Sequence, residues 1–172
     1  NYWNALTAAN GGVEVDGALY GITTCQLKTA IDNWFIDVYP IHSHPTYLHI
    51  GGTQATHAIN ANNPGSYNLT FSGGVTYTSQ GSVFDGTGYA NTNIIPNTIL
   101  GSTSTHVSAL TTNATGGTFI GCQDTTGVGS DKLHFLYTAS VLRSDMYKTS
   151  PAPCVSSSRV NISVSPTGFY LT

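Results

Sequence analysis

The segment Phe84-Asp-Gly-Thr-Gly-Tyr-Ala-Asn-Thr-Asn93 says more about the fold than any other part of this sequence. Its apolar first residue ends one extended stretch, the Asp-Gly pair forms a turn, and Tyr-x-x-Thr begins a second extended stretch. This order is typical of a chain that passes from one β-sheet to another. The segment therefore predicts a β-sandwich, and it indicates little about chemistry.

The chain around this segment, from Tyr39 onward, alternates polar and apolar residues with a period of two. The predicted strands are Thr46–Ile50, Tyr67–Ser72, Val75–Thr78, Ser82–Phe84, Gly88–Asn93, His106–Thr112, Thr118–Cys122, Lys132–Thr138, Val160–Val164 and Gly168–Leu171. Many short strands with closely spaced turn residues predict a mainly β domain, an antiparallel sandwich or jelly roll over residues 41–172. A parallel α/β fold is excluded because no helical pattern alternates with these strands.

Residues 1–40 have a different periodicity and predict an N-terminal helical attachment segment. Apolar residues recur there at the spacing of one helix face: Leu27, Ile31, Trp34, Phe35 and Val38. Either Thr23 or Thr24 can cap the start of this helix, and Pro40 stops it. A shorter helix is predicted from Tyr2 to Ala9, ended by Asn10-Gly11-Gly12.

The composition narrows the function classes. Only 8% of the 172 residues are charged, the formal net charge is −3, and Ser and Thr make up roughly a quarter of the chain. The five Lys and Arg residues are scattered, so the basic face that nucleic-acid binding requires is absent. No apolar run reaches the roughly 18 residues of a membrane span. An uncharged, polar, β-prone surface is common in extracellular and virion proteins.

Four short motifs give the sequence a resemblance to a known family. They are Tyr39-Pro40, Gly51-Gly-Thr-Gln-Ala-Thr-His-Ala-Ile-Asn60, Leu69-Thr-Phe-Ser-Gly-Gly74 and Gly88-Tyr-Ala-Asn-Thr92. In this order they resemble the concanavalin A-like (laminin-G-like) jelly-roll module of tailed-bacteriophage virion proteins. The match covers about residues 5 to 171. The resemblance implies a jelly roll preceded by a short helical segment and a location on the virion surface or outside the cell.

The sequence departs from the family pattern in two places. Ile41-His-Ser-His-Pro-Thr-Tyr-Leu-His49 lies between two motifs that family members join more directly. The family pattern also continues with further strands after the Gly168–Leu171 strand. We therefore expect the sandwich to be incomplete at the C-terminus of this chain, with an unpaired sheet edge open to strand addition.

Enzymatic activity is not expected. The related fold also hosts glucanases, whose chemistry needs two carboxylates that face each other about 5 Å apart in retaining enzymes. Glu14 is the single glutamate and precedes the sandwich, and no aspartate pair stands at i, i+2 on a predicted strand. Neither a nucleophile elbow nor a phosphate-binding loop is present. We predict no catalytic residue and no cofactor.

Candidate metal ligands come from one histidine cluster. His42 and His44 stand at i, i+2 on an extended segment and, with His49 and the fourth candidate His57, are compatible with zinc or nickel. The competing interpretation is that these are surface or interfacial imidazoles. Asp85-Gly86-Thr87 can similarly be a calcium ligand or a plain Asx-type turn. Three widely spaced cysteines, Cys25, Cys122 and Cys154, are compatible with isolated thiols or with a Cys122–Cys154 bridge.

Tyrosines give the clearest indication of binding. A tyrosine ring offers a flat apolar face with a polar tip, which can stack on a sugar while neighbouring amides bond its hydroxyls. Tyr89, Asn91 and Tyr137 are the candidate glycan-binding residues. The predicted function is a fibre, decoration or tail-associated subunit of a bacteriophage virion, a homo-oligomer whose partners are other virion proteins. The alternative is a carbohydrate-binding adhesion module that recognises host surface glycans.

Overall fold

The computed structural model describes residues 1–38 and 45–94, together with the backbone of six strands that lie between residues 110 and 171. The chain divides into two compact units, Asn1–Ile99 and Leu100–Thr172, and each is described by itself. In the first unit, short helices precede four short strands. In the second unit, only antiparallel strands are described.

The first helix, α1, spans Tyr2–Ala9, as predicted. Asn1 caps it, because its side-chain oxygen accepts a hydrogen bond from the backbone N–H of Trp3 at 2.8 Å. Gly11 and Gly12 follow the helix with φ angles of 73° and 85°, a left-handed conformation that glycine adopts without steric cost. The Asn-Gly-Gly stop predicted from the sequence is therefore confirmed.

The second helix, α2, spans Thr24–Val38 and follows a single turn of 3-10 helix at Gly17–Tyr20. Thr23 caps α2 through a reciprocal pair of hydrogen bonds: its hydroxyl accepts from the Gln26 backbone N–H, and the Gln26 side chain accepts from the Thr23 backbone N–H. Leu27 and Ile31 are buried, which confirms the predicted apolar face at these two positions. Pro40 lies outside the described residues.

The helices pack on one core that also includes residues from beyond Pro45. The buried cluster consists of Tyr2, Trp3, Leu6, Val15, Leu27, Ile31, Ile59 and Ala61. Leu6 is fully buried at its centre. The boundary between residues 1–40 and 41–172 stays a prediction, but within the first unit the helices and the segment around Ile59 share their hydrophobic interior.

The predicted strand Thr46–Ile50 is wrong. The segment contributes only an isolated antiparallel bridge, between Tyr47 and Asn60. The backbone cannot stay extended because His49 has a φ of 51°, and Gly51 and Gly52 follow with φ values of 104° and 74°. These two glycines lead into α3, a single helical turn at Gln54–His57.

Four strands follow α3 as a nested pair of hairpins: β1 at Thr70–Ser72, β2 at Val75–Thr78, β3 at Gly81–Phe84 and β4 at Tyr89–Asn91. β2 pairs with β3, and β1 pairs with β4, all antiparallel. The turn after Phe84 thus carries the chain from one two-stranded sheet to another, as predicted. β1 begins three residues later than predicted because Tyr67 has a φ of 58°, outside the extended range.

Asp85 forms the turn between these two sheets. One carboxylate oxygen accepts hydrogen bonds from the Thr87 backbone N–H and hydroxyl, both at 2.8 Å, and from the Gly88 N–H at 3.2 Å. These bonds lower the pKa of the Asp85 carboxyl. The turn lies so close to Gly74 that a Cβ at Gly88 would be 2.4 Å from the Gly74 carbonyl oxygen. The geometry is that of an Asx-type turn.

Among the residues of the second unit that the structure describes, six antiparallel strands form two three-stranded sheets. They are β5 at Leu110–Thr111, β6 at Gly117–Gln123, β7 at Lys132–Thr138, β8 at Val141–Tyr147, β9 at Ile162–Ser165 and β10 at Gly168–Leu171. One sheet has the order β5-β10-β9, and the other has the order β6-β7-β8. Strand β8 was not predicted from the sequence.

The architecture is therefore one of short helices and antiparallel strands in small sheets of two or three strands. Among the residues described, no helix has the length and apolar character needed to cross a membrane.

Candidate functional site

Two of the four candidate metal ligands are among the described residues. His42 and His44 lie outside the described residues. His49 and His57 are described, and the structure brings their rings together at 5.2 Å between centroids, nearly perpendicular to each other. Two of the four histidines of the predicted cluster are therefore neighbours, and of these two His57 is fully buried and His49 is half-buried.

A serine from strand β3 joins the two imidazoles. The Ser82 hydroxyl lies 2.9 Å from Nδ1 of His57 and 3.1 Å from Nδ1 of His49. The backbone N–H of Gly52 donates to Nε2 of His57 at 3.1 Å. Three separate segments, the turn at Gly52, helix α3 and strand β3, therefore meet at one imidazole.

The hydrogen bonds define the tautomers of this network. Because Gly52 can only donate, Nε2 of His57 must be the unprotonated nitrogen and Nδ1 must carry the hydrogen. That N–H then donates to the Ser82 hydroxyl, which in turn donates to Nδ1 of His49. In this arrangement both imidazoles are neutral.

Burial keeps both rings neutral. His57 is fully buried, and burial, reinforced by the neighbouring His49, lowers the pKa of His57 from 6.5 to about 4, against a smaller opposing effect of the Thr78 backbone. Burial also lowers the pKa of His49. The rings of Phe71 and Tyr77 lie beside His49 and His57 respectively, which makes the surroundings apolar.

In this arrangement the Ser82 hydroxyl cannot pass its proton to His57, because Nδ1 of His57 already carries a hydrogen and Nε2 accepts from Gly52; its hydrogen bond to Nδ1 of His49 is the remaining contact. Within residues 1–38 and 45–94, no group of three or more His, Cys, Asp or Glu side chains is arranged to hold a metal ion. The proposed ligand set of His42, His44 and His49 therefore stays a prediction from the sequence.

The predicted glycan-binding residues lie in both units. Tyr89 and Asn91 stand at i, i+2 on β4 and both are exposed. The Asn91 side-chain oxygen accepts a hydrogen bond from the Asn93 backbone N–H at 2.8 Å, so the amide is partly engaged within the turn. Tyr137 belongs to β7 in the second unit, and only its backbone is described. This candidate site also stays a prediction.

The hairpin carries exposed apolar side chains on β3 as well as Tyr89 on β4. Val83 is 57% exposed, and Phe84 is also exposed at the end of β3. Among the described residues, β3 pairs only with β2, and β4 pairs only with β1. This surface, formed by Val83, Phe84 and Tyr89, is called the hairpin surface below.

Tyr67 is one of the tyrosines that the sequence offers for sugar stacking, although it is not in the candidate set of Tyr89, Asn91 and Tyr137. Its side chain is 40% exposed, and its backbone is in the left-handed region with a φ of 58°. The Tyr47 hydroxyl donates to the Tyr67 carbonyl oxygen at 2.6 Å, and burial raises the pKa of Tyr47 to about 12. No sequence signal marks a left-handed tyrosine, because this conformation usually selects glycine or asparagine.

A small groove of about 280 Å³ lies between α1, α2 and the loop after Ala61. Four of the residues that line it are core residues with little exposed surface: Tyr2, Trp3, Ile31 and Ala61. We interpret it as a surface depression in the packing of the helices.

The sequence and the structure were compared with known proteins. The chain matches no protein-family model, no curated protein and no solved structure.

Proposed function

We propose that this chain is a non-catalytic structural and interaction protein of a tailed-bacteriophage virion, a fibre, decoration or tail-associated subunit. In this proposal the strands after Tyr39 belong to a mainly β, concanavalin A-like sandwich, and the chain is located on the virion surface. The family resemblance of the four motifs supports the virion assignment. The hairpin surface supports the contact role, and it is the observation on which this role depends.

The hairpin surface suits assembly for two reasons. Val83 and Phe84 on β3 and Tyr89 on β4 expose apolar area, and such area is stabilised when a partner covers it. Strands with one pairing partner also leave backbone N–H and C=O groups available at their other edge. A second subunit or another virion protein can use both features by adding a strand.

Three of the five described carboxylates have structural partners, which fits a non-catalytic role. Glu14 accepts a hydrogen bond from the Trp3 indole N–H at 3.0 Å. Asp16 caps the 3-10 helix through Ala18, and Asp85 holds the turn after β3. Each of these three groups stabilises a helix, a turn or an indole contact in the first unit.

Labelling of intact particles tests the virion assignment. Antibodies raised against the purified chain should decorate particles released from cells that carry the encoding genome, at a regular position seen by electron microscopy. A matched antibody against a cytosolic host protein serves as the control. Absence of the chain from purified particles, by labelling and by mass spectrometry, contradicts the proposal.

Light scattering on the purified chain tests the contact role. We expect a homo-oligomer, and we expect the double substitution Val83→Asn and Phe84→Ser to shift it towards the monomer. Val13→Asn removes an exposed apolar side chain near the N-terminus, far in sequence from Val83, and it should leave the mass of the oligomer unchanged. A monomeric wild type, or a variant that assembles as the wild type does, counts against the hairpin surface as the contact.

The second candidate function is a carbohydrate-binding adhesion module that recognises host surface glycans. The exposed rings of Tyr67 and Tyr89 favour it, because exposed tyrosines flanked by uncharged polar residues are suited to sugar contacts. Binding of the purified chain to arrayed bacterial polysaccharides would support this function, and the two functions can exist in one protein.

A further inference from the structure

Tyr67 has a left-handed backbone conformation that no hydrogen bond or ring contact of its own side chain explains among the described residues. Among the described residues, only His49, Tyr67 and Asn93 have positive φ without being glycine. Asparagine tolerates this conformation because of its short polar side chain. For a bulky residue it is unusual, and an outlier of this kind that persists is a reason to look for function.

His49 has an internal reason for its conformation, and Tyr67 has none. The His49 ring bonds to Ser82 and packs against His57. The Tyr67 side chain makes no hydrogen bond and no ring contact with any residue that the structure describes, and it is 40% exposed. Glycine or asparagine would therefore adopt this backbone conformation at position 67 with less strain.

The loop holds the Tyr67 backbone in place from both sides. The Tyr47 hydroxyl donates to the Tyr67 carbonyl oxygen, and the Asn60 amide donates to the Ser66 carbonyl oxygen at 2.9 Å. On the other side, the Asn68 side chain accepts from the Asn60 backbone N–H and donates to the Pro64 carbonyl oxygen, both at 2.8 Å. The ring is thus presented to solvent on a fixed backbone, which reduces the entropy lost when a ligand is bound.

The neighbours of the ring indicate the chemistry of the ligand. The loop reads Asn62-Asn-Pro-Gly-Ser-Tyr-Asn68, with no charged residue and no second large apolar side chain. A protein interface needs an apolar centre, which this loop does not supply. A neutral saccharide needs one flat ring for its C–H face and amides or hydroxyls for its O–H groups, and the loop supplies these.

We propose that Tyr67 is the stacking residue of a saccharide-binding site formed by the loop from Asn62 to Asn68. The site takes neutral hexoses or their oligomers, with the pyranose ring lying on the tyrosine face. Exposed amides of the loop, such as that of Asn63, bond the sugar hydroxyls. This inference rests on the second candidate function, and it places the binding residue at Tyr67, apart from the predicted set of Tyr89, Asn91 and Tyr137.

The test compares stability and binding in the same variants. The wild-type chain is screened on an array of bacterial polysaccharides and of glucose, galactose, mannose and N-acetylglucosamine oligomers, and its best array ligand is then titrated by calorimetry. Tyr67→Asn should unfold at the same temperature as the wild type or up to about 3 °C higher, because backbone strain is relieved. Its affinity for the saccharide should fall by at least about tenfold, because the stacking face is lost.

Two further variants separate the explanations. Tyr67→Phe keeps the stacking face and should retain affinity within about threefold. Tyr89→Asn removes an exposed tyrosine whose backbone is regular, and it should bind as the wild type does. A loss of binding in Tyr89→Asn alone would overturn the inference and support the predicted residue instead.

The remaining outcomes separate the inference about Tyr67 from the second candidate function and from a structural role of the ring. A wild type that retains no saccharide overturns both this inference and the second candidate function, while the virion assignment is tested separately by particle labelling. If the wild type binds and Tyr67→Asn binds equally well, only the inference fails. A clear fall in the unfolding temperature of Tyr67→Asn, or a loss of self-association without any saccharide binding, would show that the ring serves the fold or a protein contact.

Discussion

At the scale of single residues, His57 makes the stability of the first unit depend on pH. Its pKa is about 4 in the folded chain, against about 6.5 when it is exposed in the unfolded chain. Between these values the unfolded state binds more protons, so stability rises with pH. The contribution of neutral His57 to the free energy of unfolding is complete above about pH 6.5 and is lost as the pH falls towards 4. We expect a loss of up to about 3 kcal/mol over this range.

Urea unfolding at several pH values between 7 and 4 measures this loss. His57→Gln can keep both hydrogen bonds of the ring but cannot be protonated, so its stability should depend less on pH over the same range. Asp85, whose pKa lies below its ordinary value, contributes only at lower pH and does not interfere. Parallel pH profiles for the wild type and His57→Gln would show that His57 is not the source of the acid sensitivity.

The hydroxyl of Ser82 is expected to stabilise the same network. Ser82→Ala leaves the His57 N–H without its acceptor and His49 Nδ1 without its donor inside an apolar cluster. Unsatisfied buried groups cost about 1–3 kcal/mol each, so we expect a loss of at least about 1 kcal/mol in urea unfolding. Thr76→Ala removes an exposed hydroxyl from the neighbouring strand β2 and should cost much less. Equal effects of the two substitutions would contradict the role given to Ser82.

At the scale of the element, the β1–β4 hairpin depends on a close approach at Gly88. A Cβ at this position would lie 2.4 Å from the Gly74 carbonyl oxygen and 2.7 Å from a Val75 methyl group. The Gly74 backbone cannot move aside as a flexible side chain can. We therefore expect Gly88→Ala to lower the free energy of unfolding by about 2 kcal/mol or more, measured by thermal or urea unfolding. Gly65→Ala is the matched control, because its Cβ would meet only the Asn63 side chain at 3.6 Å. A neutral Gly88→Ala would show that the hairpin is not packed this closely.

The elements were predictable where the signal was local. The limits of α1 and the start of α2 follow from caps and apolar spacing within a few residues. The prediction of strand Thr46–Ile50 was wrong because His49 is left-handed and its ring bonds to Ser82, which lies 33 residues further along the chain. Strand β8 was missed because the two residues before it, Ala139-Ser140, carry no Gly, Pro or Asn turn signal. The candidate site was only partly predictable for the same reason, since nothing near Ser82 indicates its histidine partners.

At the scale of the first unit as a whole, the helices and the hairpin are linked through one continuous set of contacts. Leu6 packs in the same core as Ile59 and Ala61. These two residues flank Asn60 just after α3, whose His57 ring contacts Tyr77 of the hairpin. A smaller side chain at Leu6 should therefore destabilise the hairpin, although Leu6 itself belongs to helix α1.

Leu6→Ala tests this coupling. The residue is fully buried, so the substitution should cost about 2–5 kcal/mol. Amide hydrogen exchange at Tyr77 and in the rest of the hairpin should accelerate together with exchange in α1, because both open as one cooperative unit. Ile36→Ala removes a side chain of α2 that is 69% exposed and should leave hairpin exchange unchanged. Faster exchange in α1 with an unaffected hairpin would mean that residues 1–40 behave as a separate attachment segment, as the sequence predicts.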